Sequence, residues 1–248
     1  MLFGQDASSG EGNLVSEFRF KQFSVTQDNC GMKVSTDGVL LGAWADPKQA
    51  KSSLDIGTGT GLLSLMLAQR FQHLSLTAIE YDPAAYACAT QNVHASPFAT
   101  QIQLRQGDIT QWHTSTRFEH IVCNPPYFTS GQTARDAKRA TARHAHTLTH
   151  EALLHVLVAR LTPSGCADLI LPVTEGERLI ADATQYGLHL HRQVYVYPTP
   201  GKPASRLLFT LSPTTHPLIS DTLVLRDDHN HFTPAFAALT RDFYLKLP

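Results

Sequence analysis

In the stretch SLDIGTGTGLLSLMLAQRF, Ser53 to Phe71, an apolar strand pattern ends at Ile56, glycines follow at every second position, and a leucine-rich run begins at Leu62. Gly57, Gly59 and Gly61 can take backbone angles closed to other residues, and they let a ligand approach the main chain. The helix predicted after them opens with amides that have no partner inside the helix. A strand that turns through glycines into a helix is the first unit of many nucleotide-binding folds.

The pattern extends outward from this unit. Downstream, LSLTAIE (Leu74 to Glu80) and IQLRQGD (Ile102 to Asp108) read as strands flanking a helix opened by Pro83. HIVCN (His120 to Asn124) is the next strand, GCADLILP (Gly165 to Pro172) another, with helices before and after it. Leu188 to Pro198 and Ser205 to Ser212 then read as two strands with only a loop between them. Such alternation predicts an α/β protein with a seven-stranded, mostly parallel sheet covered on both faces, carrying an antiparallel terminal hairpin. Upstream, Phe18, Phe20, Phe23 and Val25 at period two predict a small N-terminal β extension, and STDGVLLGAWA predicts a short helix capped by Thr36 or Asp37. The expected organisation is a flexible tail over 1–13, an N-terminal extension over 14–46 and the main domain over 47–248. The close, FTPAFAALTRDFYLKL, predicts an amphipathic helix with Phe232, Phe236, Leu239 and Phe243 along one side.

Leu62 stands where a GxGxxG dinucleotide fingerprint has its third glycine, so the loop is GxGxG. Asp55 precedes the first glycine, where a carboxylate suits a ligand ammonium or an ordered water better than a pyrophosphate. Glu80 ends the second strand, where an acid can take both hydroxyls of a ribose, each charged hydrogen bond contributing roughly 1.5–3 kcal/mol before ordering costs. Asp108 ends the third, placed to meet the amine of an adenine. Any one of these acids reads equally well as a cap or turn residue. Three at the carboxyl ends of three successive strands converge on one crevice, and together they resemble the S-adenosylmethionine pocket of Rossmann-like class I methyltransferases: Asp55, Gly57, Gly59 and Gly61 around the methionine part, Glu80 on the ribose, Asp108 near the adenine.

The fourth strand ends in Asn124, Pro125, Pro126 and Tyr127. Prolines give no amide hydrogen to a sheet ladder, so they stop the strand and hold the chain extended. That rigidity suits methylation of a planar nitrogen whose lone pair is delocalised. The Asn124 amide oxygen and the Pro125 carbonyl can accept its two hydrogens and carry the charge that develops during transfer. Tyr127 offers a face on which a base can stack, worth on the order of 1–3 kcal/mol.

The NPPY motif after a DxGxGxG loop resembles the signature of amino-methyltransferases acting on base or glutamine nitrogens. With MKVSTDGVLLGAW before the loop and FTPAFAALTRDFYLKL at the close, the chain is similar to the bacterial tRNA(Val) adenine-N6 methyltransferase family from Phe18 to its end. The resemblance implies S-adenosylmethionine as cofactor and, as substrate, the adenosine immediately 3′ of the anticodon in a valine tRNA. It implies a lid or wall over the cofactor from Lys33 to Gly42, with Lys33 and Thr36 in contact, and a basic loop, PTPGKPASR, that carries Lys202 and Arg206.

The 248 residues are 42% hydrophobic and 17% charged with a formal net charge of -1, which argues against a protein basic all over. Positive charge is instead local: Arg135, Lys138, Arg139 and Arg143 face one acid, Asp136, just after NPPY, and 183–220 holds Arg192, Lys202 and Arg206 with no acid. Of these, Arg135, Lys138, Arg139, Arg143, Lys202 and Arg206 are the candidate RNA contacts. No apolar run approaches the roughly 20 residues that span a bilayer and the start lacks a signal-peptide pattern, so a cytoplasmic protein is expected. Cys30, Cys88, Cys123 and Cys166 lie far apart with no CxxC spacing and read as reduced core residues. His146 and His150 are four apart without a third ligand, and no metal is expected. The rival readings are a glutamine methyltransferase acting on release factors, a methyltransferase of another RNA or DNA base, an NAD-dependent oxidoreductase, and a non-catalytic S-adenosylmethionine-binding RNA chaperone. The first is disfavoured because only 54 residues precede Asp55 and their pattern is strand-like, not a helical substrate domain.

Overall fold

The computed structural model describes residues 17–27, 34–125 and 148–246. A short hairpin, β1 (Glu17–Arg19) and β2 (Ser24–Thr26), precedes helix α1 (Thr36–Trp44). The alternating part runs β3 (Ser52–Ile56), α2 (Leu62–Arg70), β4 (Ser75–Glu80), α3 (Pro83–His94), β5 (Ile102–Gln106) and β6 (Phe118–Cys123). It continues with α4 (His150–Arg160), β7 (Leu161–Pro172), α5 (Val173–Ala183), β8 (His189–Tyr197), β9 (Arg206–Ser212), β10 (Ile219–Val224) and α6 (Pro234–Thr240).

Eight strands form the main sheet, in the order β10-β8-β9-β7-β6-β3-β4-β5. The expectation of seven misses β10, whose mostly exposed ISDTLV has no apolar alternation to betray a strand; it forms by pairing in parallel with β8 along the sheet edge. Only β9 runs antiparallel, inserted between β7 and β8. After β3, β4 and β5 build one half of the sheet, and β6 returns to the other side of β3. The reversal of strand order opens a crevice outside the carboxyl ends of β3 and β6, the usual ligand position in open α/β sheets.

Both faces of the sheet are covered. In β7, Leu169 and Leu171 pack with α4 and α5, while Ile170 between them joins α1, α2 and α6 on the opposite face, the period-two alternation of a strand. Helix α1 is capped by Ser35, whose hydroxyl accepts from Gly38 N, one residue before Thr36 and two before Asp37, the expected caps. Its far end is also satisfied: Arg70 donates to Gly42 O at 2.9 Å and Ala45 O at 2.6 Å, and Arg192 lies 3.8 Å over the Trp44 ring. Cations there suit the partial negative charge of a helix C-terminus. The closing segment forms a helix shorter than the amphipathic run predicts, and Phe236 and the downstream Phe243 are buried in one apolar cluster with Phe20 and Phe23, the Tyr244 ring lying near both Phe20 and Phe236.

A polar chain crosses the sheet interior. Ser53 Oγ lies 2.8 Å from His120 Nδ1, His120 Nε2 lies 3.1 Å from Asp168 Oδ2, and Thr210 donates to Asp168 Oδ1 at 2.5 Å. All four residues are buried, so they tie β3, β6, β7 and β9 together and meet no ligand. Burial pushes the Asp168 carboxyl up, but the hydrogen bond and charge of His120, with Arg192 and Thr210, hold it below the usual carboxylate range.

Candidate active site

The glycine loop joins β3 to α2 with Gly57, Gly59 and Gly61 at φ of 69°, 58° and 84°, in the left-handed region that side chains disfavour. Nothing lies within 4 Å of where a Cβ would stand on Gly57 or Gly59, so the loop faces open space. It is held from below: Gly57 N and Thr58 N donate to Ile79 O of β4, at 2.9 and 3.1 Å.

The three acids sit where the strands end, each with a different duty. Asp55 is wholly buried. Its Oδ2 accepts from Thr58 Oγ1 at 2.6 Å, Ser64 Oγ at 2.7 Å and Ser64 N at 3.2 Å, fastening the loop to α2. Oδ1 is buried and has no partner. Burial pushes its pKa up to about 6 against the pull of these hydrogen bonds, with Glu80 adding to the rise. The carboxylate expected to meet a ligand is thus first a brace, with one oxygen left for an ammonium or a water. Glu80 Oε2 accepts from Gly59 N at 2.8 Å and Oε1 from Asp82 N at 2.9 Å, which orients the carboxylate and leaves further lone pairs on both oxygens. Asp108 caps a short 3-10 turn through Oδ1, which accepts from the Thr110 amide and hydroxyl.

Asn124 and Pro125 follow directly from β6, whose Cys123 pairs with Ile56, the residue before the glycine loop. Asn124 is half-buried, and its amide makes no hydrogen bond to the described residues. The structure therefore brings Asp55, Gly57, Gly59, Gly61, Glu80, Asp108, Asn124 and Pro125 to one edge. Thr36 begins α1, and the neighbouring Gly38 packs on Leu62, the first residue after the loop. Lys33, Pro126, Tyr127, Arg135, Lys138, Arg139 and Arg143 lie outside the described residues. Lys202 is exposed in the loop between β8 and β9, whereas Arg206 is engaged with Asp37 of α1 at 2.7 Å.

Two supporting residues escape a reading of the sequence. Asn92 of α3, 2% exposed, donates to Thr60 O of the glycine loop at 2.9 Å and to Thr26 O at 3.1 Å, and accepts from Thr26 N at 2.9 Å. Tyr81, directly after Glu80 at the carboxyl end of β4, is 45% exposed. Only its position in EYDP hints at it. A cavity of about 320 Å³ between the turn after Asp108 and α4 is lined by Ile109, Thr110, His155 and Arg160 but by none of the glycine loop, so it is separate from this cleft.

Cys123 is free and buried, and burial pushes its thiol well above the ordinary range, so it is inert despite its place beside the motif. Cys166 is also free, but Cys88 is disulfide-bonded, against the reading of four reduced thiols. Chain spacing carries no trace of the fold that lays Thr26, at the end of β2, within 3.2 Å of the Cys88 sulfur. Among the described residues no group of three or more metal-type ligands occurs, and no helix is long and apolar enough to cross a membrane.

A switch-point crevice with an open glycine loop, a ribose-type acid and an unpaired amide on an NPP strand end is the site of a Rossmann-like methyltransferase. The family model described as "Methyltransferase small domain" matches residues 36–170. Among solved structures, a predicted O-methyltransferase from Agrobacterium tumefaciens has the same fold, with a TM-score of 0.62 at 20% identity over 84% of this chain and 96% of its own. P. horikoshii TYW2 in complex with MeSAdo also shares it, with a TM-score of 0.56 at 15% identity over 81% of this chain and 71% of its own. The tRNA1(Val) (adenine(37)-N6)-methyltransferase of Vibrio vulnificus is 50% identical over 93% of this chain and 96% of its own length, and that of Photobacterium profundum 48% identical over 94% and 100%. The chain belongs to the tRNA1(Val) (adenine(37)-N6)-methyltransferase family.

Proposed function

We propose that the protein methylates the exocyclic N6 of the adenosine immediately 3′ of the anticodon in a valine tRNA, using S-adenosylmethionine in the cytoplasm. The observation that carries this reading is the Asn124 amide: half-buried, unpaired among the described residues, and one strand from the glycine loop. The residues present fit the cofactor. The orphaned Oδ1 of Asp55 suits the methionine ammonium, the open cradle at Gly57 and Gly59 admits its backbone, and Glu80 and Asp108 match ribose hydroxyls and an adenine amine.

S-adenosylmethionine supplies a methyl group on a cationic sulfur. The protein's part is to place and polarise the acceptor nitrogen. An adenosine drawn out of its stack presents its amino group to Asn124 Oδ1 and the Pro125 carbonyl, and Tyr127 supports the ring. Two acceptors draw the planar nitrogen toward tetrahedral geometry and favour the charge that grows on it during transfer. The nitrogen becomes acidic only once methylated, so water can take its proton and no general base is needed first. Arg135, Lys138, Arg139, Arg143 and Lys202 are the proposed contacts to the anticodon arm.

Methyl transfer from radiolabelled S-adenosylmethionine to unmodified tRNA, ribosomal RNA, DNA and release factor, followed by nucleoside analysis, tests this function. N6-methyladenosine in valine tRNA alone is expected. Label in release factor would move the protein to the glutamine enzymes.

A further inference from the structure

Arg206 is a candidate RNA contact in a reading of the sequence, but its guanidinium Nε is 2.7 Å from Asp37 Oδ2, joining residues 169 apart in the chain. The pair is mostly shielded, with side-chain exposures of 27% and 14%. Arg206 opens β9, level with Pro172 at the carboxyl end of β7 and directly after the loop that carries Lys202. The strand order puts it two strands from Asn124, roughly 10 Å across the sheet. Asp37 is in the first turn of α1. The adjoining Gly38 touches α2 so closely that a Cβ would stand 3.0 Å from Leu62 Cδ2, and Leu62 directly follows Gly61. A continuous path of contacts thus runs from the base of the Lys202 loop, through Arg206, Asp37 and Gly38, to the end of the glycine loop.

We propose that Arg206 is a positioning residue for the cofactor pocket and not an RNA contact: by its ion pair with Asp37 it holds the first turn of α1 against Leu62, setting the wall of the glycine-loop cleft from the substrate side. The inference rests on the reading of that cleft as an S-adenosylmethionine site. An acid in the first turn of a helix is already favoured by the helix dipole, so Asp37 is a well-placed anchor for a cation arriving from another strand.

A double-mutant cycle tests it, with Asp37→Asn, Arg206→Gln and the double variant, each measured for S-adenosylmethionine affinity by calorimetry, for valine tRNA affinity by filter binding, and for melting temperature. Each single variant should weaken cofactor binding about fivefold, and the double variant no more than either single one, the non-additivity of residues acting as a pair. Affinity for tRNA should hold, and every variant should stay folded at the assay temperature, so that the loss of cofactor affinity is not a loss of folded protein. Additive losses, or weaker tRNA binding in Arg206→Gln with cofactor affinity unchanged, would overturn the proposal. Failure of the wild-type protein to bind S-adenosylmethionine would instead remove the functional reading beneath it.

Discussion

Asn124 and Asp55 stand one strand apart and do opposite work, one left open for a ligand and the other folded into the loop it supports. If Asn124 acts on the acceptor nitrogen as proposed, Asn124→Ala should lower transfer by at least about 100-fold, as loss of an oxyanion-type partner does, while cofactor affinity stays within a few-fold. Single-turnover methylation and calorimetry separate the two. Asp55 has a pKa of about 6 against an ordinary 3.8, chiefly through burial. A group raised on folding contributes its stability fully below the unfolded value and loses it as pH climbs through the folded one. Urea unfolding of the wild type should therefore lose stability between about pH 4 and pH 6 from this group, and Asp55→Asn should flatten that slope. A cationic ligand at Oδ1 favours the ionised form, so S-adenosylmethionine affinity should weaken as pH falls below about 6 in the wild type and stay level in the variant.

At the scale of elements, α1 packs closely against α2, the helix that follows the glycine loop. A Cβ on Gly42 would stand 2.6 Å from Met66 Sδ and 3.0 Å from Met66 Cβ, so the helices are packed almost backbone to side chain. Gly42→Val should destabilise the protein by about 1–3 kcal/mol, the usual penalty of overpacking, read as a lower urea midpoint with the slope unchanged. The glycine spacing of Gly38 and Gly42 is visible in STDGVLLGAW, but nothing in that run names α2 as the partner. The reverse holds for the polar chain from Ser53 to Thr210, where each residue looks like an unremarkable strand position until four strands line up. Removing the Asp168 carboxylate leaves buried donors unpaired, and Asp168→Ala should cost about 3–5 kcal/mol by the same measurement.

For the whole molecule, substrate binding is a matter of charge distribution on a chain whose net charge is -1. If Arg135, Lys138, Arg139, Arg143 and Lys202 neutralise tRNA phosphates, replacing any one by alanine should reduce the slope of log affinity against log salt by roughly 0.7. An unchanged slope would return that residue to ordinary surface charge. The strand-helix alternation, the glycine loop, the acids that end β4 and β5, and the proline-stopped β6 were legible because each is local: a period, a backbone angle or a missing amide is written in a few neighbouring residues. Other features depended on pairing between distant segments. The eighth strand exists only because β8 offers it an edge. Arg206 became a partner of Asp37 and not an exposed cation because β9 is inserted beside β7, which brings its first residue to the N-terminus of α1. Likewise the Asn92 brace follows from the packing of α3 beside the end of β2. The sequence by itself determined the chemistry at the strand ends, since that chemistry resides in single side chains and local turns. Only the tertiary structure decided which polar groups were left for a ligand and which were consumed as supports, because hydrogen-bond partners are allotted among residues far apart in the chain.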